Sequence, residues 1–303
     1  MPQTPTRYAR KLGAHLRSCR EAAGLGMEQV GKHLRVGQTT ISRYESGARS
    51  VQWATVLSLL ALYGHQEEDD PAFVKALRLW EMVQDEAKPT KLPQDASAAF
   101  RRLVYEEPGA AKIRQLETNI LPGRVQDEGY MIALAQSSGD PSLRNSDVRK
   151  ARQAHINPDL RPNPVEYHLV LDEICVTRLV GGATVMIPQL RHLLRIAEWD
   201  NVTIQVIPKE AGDYGGATGG FTILDFDDED DPSWVYFEYQ NGNALEDNPK
   251  HVQRFAKLFN DAAPAPKPDD EEKEGDGVSR KIALSPDETI EFIRRQIEVL
   301  EDR

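Results

Sequence analysis

Five polar side chains near the start of the segment 38–46 are of types that hydrogen-bond to the edges of DNA bases. They are Gln38, Thr39, Thr40, Ser42 and Arg43. Glutamine can bond in bidentate fashion to adenine, arginine can do the same to guanine, and threonine can contact the methyl group of thymine. A helix over 38–46 would offer its outer, N-terminal face to the major groove. We therefore predict that these residues contact DNA.

Such a helix must be held by a second one, and the segment 27–34 supplies it. In a helix-turn-helix, the two helices cross closely over apolar contacts and a short turn. Gly31 is a small residue at the predicted crossing point. The apolar contacts come from Val30, Leu34, Val36, Ile41 and Tyr44. The alternative interpretation is a surface helix of an unrelated helical bundle, in which the polar residues are only solvated.

The surrounding residues 8–63 are typical of four or five short helices. One apolar helical stripe is formed by Leu12, Leu16, Cys19 and Ala23. Residues 1–66 contain nine Lys or Arg and three Asp or Glu, a net charge of +6, whereas the remaining residues carry −17. A basic module on an acidic body favours a polyphosphate partner for the module. Arg49, just after the second helix, is predicted to bind a phosphate.

The stretch LRSCREAAGLGMEQVGKHLRVGQTTISRYESGAR resembles the Xre-type regulators, a phage-repressor-like helix-turn-helix family, and the resemblance extends from Leu12 to Leu62. It implies that Arg20, late in the first helix, pairs with Glu45 at the end of the recognition helix as a structural brace. It also implies binding to double-stranded DNA as a homodimer.

Three positions depart from the pattern of that family. Gly26-Met27 stands where Thr-Gln is frequent, and Gly37 stands where Ser or Thr usually caps the recognition helix. Arg35 replaces the usual turn glycine. We expect Arg35 either to strain the turn or to present an extra cation to DNA, and we include it among the DNA-binding residues.

Composition and periodicity divide the chain into five segments. They are a helix-turn-helix domain (1–66), a connecting helix and linker (67–97), a mixed domain (98–262), an acidic disordered linker (263–283) and an amphipathic C-terminal helix (284–303). The helix of the second segment, over about 72–86, is expected to bridge the two domains. The fold class is thus an all-α N-terminal domain followed by a mixed α/β (α+β) domain.

Alternating strand-like and helical patterns support the mixed assignment for the second domain. Strand-like runs are Tyr167–Leu171, Val202–Ile207, Phe221–Phe226 and Trp234–Glu238, and helical patterns lie near 125–137, 146–156, 186–198 and 249–262. The patterns leave the strand order open. The last helix begins with Ser285-Pro286-Asp287-Glu288, a capping-box signature, and its apolar stripe must dock on the body or on a partner.

Several stretches of the second domain, among them ETNILPGRVQDEGYMIAL and NVTIQVIPKEAGDYGGATGGFTILDF, resemble the uncharacterised domain that follows Xre-type modules in many actinobacterial regulators. The resemblance implies a regulator that works with a small partner protein encoded nearby. Candidate residues for a partner or ligand pocket are Leu121, Pro122, Gly123, Tyr130, Asp172, Glu173, Asp213 and Tyr214.

The sequence contains no recognisable signature of catalysis. The seven histidines form no metal pair, and the two cysteines, Cys19 and Cys175, lack metal-ligand spacing. The glycine-rich run 215–220 lacks the Gly-Lys-Ser/Thr end of a phosphate loop. Asp172 and Glu173 suit helix capping or an ion pair better than acid-base chemistry without a partner base. We predict no enzyme activity, no metal and no cofactor.

The leading hypothesis is a sequence-specific transcriptional regulator whose acidic domain senses a small partner protein or a small molecule. The alternative is an antitoxin-like interaction protein that neutralises a small partner and regulates its own synthesis through DNA binding. No apolar run is long enough to cross a bilayer, and no signal-peptide pattern is present. The expectation is a cytoplasmic protein without membrane contact.

Overall fold

The computed structural model describes residues 7–67, 69–86, 92, 96–138, 146–161, 164–216, 218–227, 232–239, 242–263 and 282–302. It divides into two units, Met1–Pro89 and Thr90–Arg303. Most of the predicted linker 87–97 and of the predicted acidic linker 263–283 lies outside the described residues. None of the helices in the described part is long and apolar enough to cross a membrane.

The described part of the first unit contains helices joined by turns, and no strands. Its helices are α1 (Arg7–Ala22), α2 (Met27–Leu34), α3 (Gln38–Glu45), α4 (Trp53–Tyr63) and α5 (Pro71–Glu86). Their apolar faces enclose one core that includes Leu12, Leu16, Val30, Ile41, Val56 and Leu60. Gly64, with φ 94°, ends α4 in the left-handed conformation that glycine adopts without strain.

Helix α5 belongs to the core of the first unit. The expectation that it bridges the two domains stays a prediction. Its residues Phe73, Ala76 and Leu79 are buried in the same cluster as the apolar stripe of α1. Trp80 donates a hydrogen bond from Nε1 to the carbonyl of Val51 over 3.2 Å. Helix α5 packs here because its apolar residues are spaced so that they lie on one side of the helix. Neighbouring helices cover that side and remove it from water.

The second unit is built around a six-stranded mixed sheet. The strands are β1 (Lys112–Glu117), β2 (Glu166–Asp172), β3 (Val202–Ile207), β4 (Phe221–Asp225), β5 (Trp234–Tyr239) and β6 (Gly242–Glu246). Their order is β3-β2-β1-β4-β5-β6. The pairs β1–β2 and β2–β3 are parallel, whereas β1–β4, β4–β5 and β5–β6 are antiparallel. The predicted fold class, all-α followed by mixed α/β, is confirmed.

Helices cover both faces of this sheet. They are α6 (Ala98–Glu106), α7 (Glu128–Ser138), α8 (Ser146–Ala154), α9 (Ile174–Thr177), α10 (Ala183–Ala197), α11 (Pro249–Ala262) and α12 (Pro286–Glu301). On one face, Ile113 and Leu169 pack in a cluster with Leu190 of α10. On the other face, Leu116 packs in a cluster with Phe259 of α11. Ile113 and Leu116, three positions apart in β1, thus enter two different cores, as the two-residue period of a strand requires.

The C-terminal helix α12 docks on its own domain. Ser285 caps it by accepting a hydrogen bond from the backbone N–H of Glu288, and the Glu288 carboxylate accepts one from the Ser285 N–H. The Thr289 hydroxyl accepts a hydrogen bond from the Val206 N–H over 3.0 Å. The N–H of Leu284 bonds to the Val206 carbonyl over 2.8 Å. The segment before α12 therefore covers the outer edge of β3, which would otherwise be an open strand edge.

Candidate nucleic-acid interface

Helix α3 presents the predicted base-reading residues to solvent. Gln38, Thr39, Ser42 and Arg43 are exposed, and Thr40 is half-buried. The opposite side of the helix is anchored because Ile41 and Glu45 are buried. The helix is two turns long, so its whole outer face can enter a major groove about 12 Å wide. The arrangement is that of a recognition helix.

The turn between α2 and α3 depends on a small residue at position 31. A Cβ atom on Gly31 would lie 2.7 Å from the Val36 carbonyl oxygen, closer than van der Waals contact allows. The Gly31 carbonyl accepts a hydrogen bond from the Val36 N–H over 2.8 Å. Gly31 was expected at the crossing of the two helices, and the structure places it against the turn that joins them.

A second close approach, between α1 and the end of α3, was not recognised in the sequence. A Cβ atom on Gly13 would lie 2.5 Å from the backbone carbonyl oxygens of both Tyr44 and Glu45. Gly47 has φ 70°, and a Cβ there would lie 2.6 Å from the backbone of Ala9. The two backbones therefore pack directly on each other. The sequence signal for this contact is Gly13 itself. A glycine inside a helix lowers its stability, so its presence indicates that another part of the chain packs closely there.

Arg20 and Glu45 form a buried bidentate ion pair between α1 and α3. Arg20 Nε donates to Glu45 Oε1 over 2.6 Å, and Nη2 donates to Oε2 over 3.0 Å. The remaining Nη1 donates to the Leu25 carbonyl over 2.8 Å. The hydrogen bond to Glu45 raises the pKa of the Arg20 guanidinium. The pair faces the interior rather than the exposed side of α3, so its geometry is that of a brace.

The caps of the two helices show how the departures at Gly26 and Gly37 are accommodated. At α2, the Gln29 side chain accepts a hydrogen bond from the Gly26 N–H over 2.7 Å, which is one half of a capping box. At α3, Gly37 provides no side-chain cap, and its carbonyl accepts the Thr40 N–H over 2.9 Å. Only the cap of α3 is therefore weakened, by a few tenths of a kcal/mol.

Arg49 lies just beyond α3, and its backbone contacts that of Arg43. Its N–H donates to the Arg43 carbonyl over 3.1 Å. Its guanidinium lies 5.7 Å from the centre of the Tyr44 ring and stays exposed. Stacking on an aromatic ring restricts an arginine while leaving its donors free. Arg49 is thus held where a phosphate beside the groove could accept its hydrogen bonds.

Arg35 ends α2 in the left-handed conformation, with φ 56° and ψ 41°. It is the one non-glycine residue with positive φ in the described part of the chain. We expect Arg35→Gly to stabilise the first unit by about 0.5–1 kcal/mol, since glycine adopts this conformation without the Cβ clash. The measurement is urea unfolding of the full chain, followed by hydrogen exchange of the α2 amides.

Arg35→Ala is the matched control, because it removes the same cation and keeps the strain. If Arg35 contacts a phosphate, DNA binding by either variant should release about one counterion fewer. The slope of log affinity against log salt concentration should then be shallower by about one. Equal stabilities of Arg35→Gly and Arg35→Ala would contradict the proposed strain.

Two family models match the chain. Residues 11–73 match a helix-turn-helix domain, and residues 100–271 match a domain of unknown function, DUF5753. The second match covers more than half of the chain. The chain belongs to the DUF5753 family. No curated protein and no solved structure matches it. The protein therefore carries a helix-turn-helix DNA-binding domain in front of a DUF5753 domain of uncharacterised role.

In the DUF5753 domain, the first group of predicted pocket residues lies largely in the core. Leu121, Pro122 and Tyr130 are buried, and Gly123 is half-buried. The Tyr130 hydroxyl accepts a hydrogen bond from the Leu121 N–H over 3.2 Å. Burial raises the pKa of Tyr130 to about 12. These contacts fix the turn before α7, so the group serves the packing of the domain.

The second group lies at the carboxyl ends of β2 and β3 and makes turn and capping contacts. Asp172 accepts hydrogen bonds from the Ile174 N–H at 3.0 Å and from the Tyr214 hydroxyl at 3.0 Å. Glu173 accepts the Lys209 N–H over 2.9 Å. Asp213 accepts the Gly215 N–H over 2.9 Å. The capping and ion-pair interpretation of Asp172 and Glu173 agrees with this geometry.

A buried charge network on one face of the sheet was missed in the sequence. Glu107 is fully buried and accepts hydrogen bonds from Arg124 Nε and Arg152 Nε, each over 2.8 Å. Arg124 Nη1 also donates to Gln115 Oε1 over 2.7 Å, and the Tyr167 hydroxyl donates to the same oxygen over 2.8 Å. Burial opposes ionisation of Glu107, but the two arginines outweigh it and hold the pKa of its carboxyl well below the usual range.

Proposed function

We propose that this protein is a sequence-specific transcriptional regulator of the Xre type, of the kind found in actinobacteria, that binds double-stranded DNA as a homodimer. It acts in the cytoplasm by binding rather than by catalysis. The observation that carries the proposal is the exposed set Gln38, Thr39, Ser42 and Arg43 on a helix whose opposite face is buried and braced. These side chains can tell base pairs apart in the major groove.

Charge supports the same proposal. The first 66 residues carry a net charge of +6, whereas the rest of the chain carries −17. The basic residues attract phosphates, and the acidic remainder repels them, so the affinity of one protomer is modest and falls steeply with salt. Two linked helix-turn-helix domains on half-sites about one helical turn apart then supply the affinity that one domain lacks.

We further propose that the DUF5753 domain is the part that senses a signal, either a small partner protein encoded nearby or a small molecule. What supports this is the resemblance to regulators of that organisation and the separation of the chain into two units. An effector that binds the domain changes the affinity for DNA only if it binds the DNA-bound protein and the DNA-free protein with different affinities. The size of the change equals the ratio of those two affinities.

Arg43→Ala should strongly reduce sequence selectivity while the domain stays folded. A bidentate arginine–guanine contact contributes about 1–3 kcal/mol of discrimination, so the preference for the selected site over a mismatched one should fall roughly tenfold to a hundredfold. The measurement is selection from random duplexes with the wild type, followed by titration of the selected and mismatched sites with both proteins.

Arg78→Ala is the matched control, because Arg78 is an exposed arginine on α5 and lies outside the proposed surface. It should lower general DNA affinity only slightly and leave the selected motif unchanged. If the wild type returned no shared motif, specific readout by α3 would be wrong.

A further inference from the structure

A cleft of about 300 Å³ lies between α8 and α10 of the DUF5753 domain. Its apolar wall comes from Ile196 on α10, Trp199 just after that helix, and Leu160 beyond the end of α8. Leu160 is 68% exposed and Trp199 is half-buried, so both offer apolar surface to a molecule in the cleft. The volume lies at the lower end of the range found for small-molecule sites.

The polar residues of the cleft are two cations, two side-chain amides (Gln153 and Asn157) and one histidine. Lys150 of α8 is exposed at its mouth, and Arg124 lines it. None of its lining residues, all within the described part of the chain, is acidic. His192 is also in the wall, and burial together with the charge of Arg195 lowers its pKa, so it is neutral at pH 7. The cleft is therefore locally positive, although the domain as a whole has a large excess of acidic residues.

Arg124 adds an independent sign of a missing partner. The residue is 1% exposed, and two of its three guanidinium nitrogens are engaged by Glu107 and Gln115. Its Nη2 is buried and has no hydrogen-bond partner among the described residues. Glu107 is shared with Arg152, so one carboxylate faces two guanidinium groups. A buried donor without an acceptor is unfavourable, and an anion in the cleft would relieve this.

We infer that the cleft binds a small aromatic carboxylate. The ring packs against Trp199, Ile196 and Leu160, and the carboxylate lies towards Lys150 and Arg124. The inference deepens the proposed function, in which this domain senses an effector. It rests on that proposal only where it concerns an effect of the ligand on DNA binding. Binding itself depends on the cleft alone.

The test uses 2-naphthoate and its neutral counterpart 2-naphthamide with the full chain labelled with nitrogen-15. The chain has four tryptophans, and the indole signal of Trp199 is assigned by its loss in Trp199→Phe. We expect 2-naphthoate to shift the Trp199 signal saturably and to leave that of Trp53, in the first unit, unchanged. Calorimetry should show 2-naphthamide binding at least about tenfold more weakly, because it lacks the charge-assisted hydrogen bonds.

Lys150→Glu tests the proposed position of the carboxylate, and Lys250→Glu is the matched control, an exposed lysine on α11 outside the cleft. Lys150→Glu should weaken 2-naphthoate at least about tenfold, whereas Lys250→Glu should leave its affinity unchanged. Equal affinities for naphthoate and naphthamide, equal effects of the two lysine variants, or the absence of saturable naphthoate binding would overturn the inference. Inorganic phosphate that competes as strongly as naphthoate would also overturn it, because the apolar wall would then contribute nothing.

DNA binding is measured separately, on the duplex selected by the wild type, with and without 2-naphthoate. Failure to select any duplex would overturn the proposed function and leave naphthoate binding intact. Failure of naphthoate binding alongside normal duplex selection would overturn only the inference about the cleft.

Discussion

Arg20→Ala should destabilise the helix-turn-helix domain by about 3–5 kcal/mol. Glu45 is only 8% exposed in the wild type, and the substitution removes its bidentate partner. It also removes the hydrogen bond that the Leu25 carbonyl accepts. Small domains have total stabilities of only about 5–15 kcal/mol, so the substitution would remove a large part of the stability of this unit. Hydrogen exchange of the full chain, read over the amides of α1 to α4, measures the loss.

Arg17→Ala is the matched control for that experiment. Arg17 lies on the same helix, is exposed and pairs with Glu21 at 2.8 Å, and such surface pairs contribute less than about 1 kcal/mol. The double variant Arg20→Met with Glu45→Met should be closer to the wild type than Arg20→Ala, because it leaves no buried charge. If Arg20→Ala lost DNA selectivity while its amide protection stayed at the wild-type level, Arg20 would be a DNA contact and not a brace.

Glu107→Gln should destabilise the DUF5753 domain by a similar amount, about 3–5 kcal/mol. The variant keeps the shape of the side chain but leaves Arg124 and Arg152 without a carboxylate between them. Glu166→Gln is the control, because Glu166 is an exposed partner of Lys112 at the start of β2. Its loss should cost less than about 1 kcal/mol. Urea unfolding, with hydrogen exchange of β1 and β2 as a local measure, separates the two variants.

The stability difference between the wild type and Glu107→Gln should depend on pH. The pKa of Glu107 is lower in the folded than in the unfolded domain, so its contribution to stability is present above the unfolded value of about 4.3. That contribution is lost as the pH falls through the folded pKa. The difference in free energy of unfolding between wild type and Glu107→Gln should therefore be present at pH 7 and shrink as the pH falls below the unfolded pKa. A difference that stayed constant from pH 7 to the acid limit would show that charge is not its source.

The helix-turn-helix could be predicted from the sequence because its information is local. The alternation of buried Ile41 and Glu45 with exposed Ser42 and Arg43 is set by the 3.6-residue period of one helix. The Arg20–Glu45 contact joins residues 25 positions apart, and only the resemblance to the Xre-type regulators led us to expect it. The direct backbone contact at Gly13 could not be predicted, because nothing in the neighbouring residues indicates what packs on that glycine.

The DUF5753 domain shows where local patterns are insufficient. Strand β1, with the sequence Lys112–Glu117, lies at the centre of the sheet between β2 and β4, yet it was not expected as a strand. A central strand usually has a continuous apolar run, whereas β1 carries Gln115 and Arg114. The partners that make these residues tolerable there, Arg124 and Asp225, come from other elements.

The sequence by itself determined the class of each domain, the face of α3 that meets solvent and the cap of α12, since each depends on residues within a few turns of one another. Only the tertiary structure decided the strand order, the place of α5 in the first core, the network around Glu107 and the cleft beside Trp199. These depend on residues far apart in the chain, and a buried charge is stable only when folding brings its partners to it. Local periodicity carries no information about such partners.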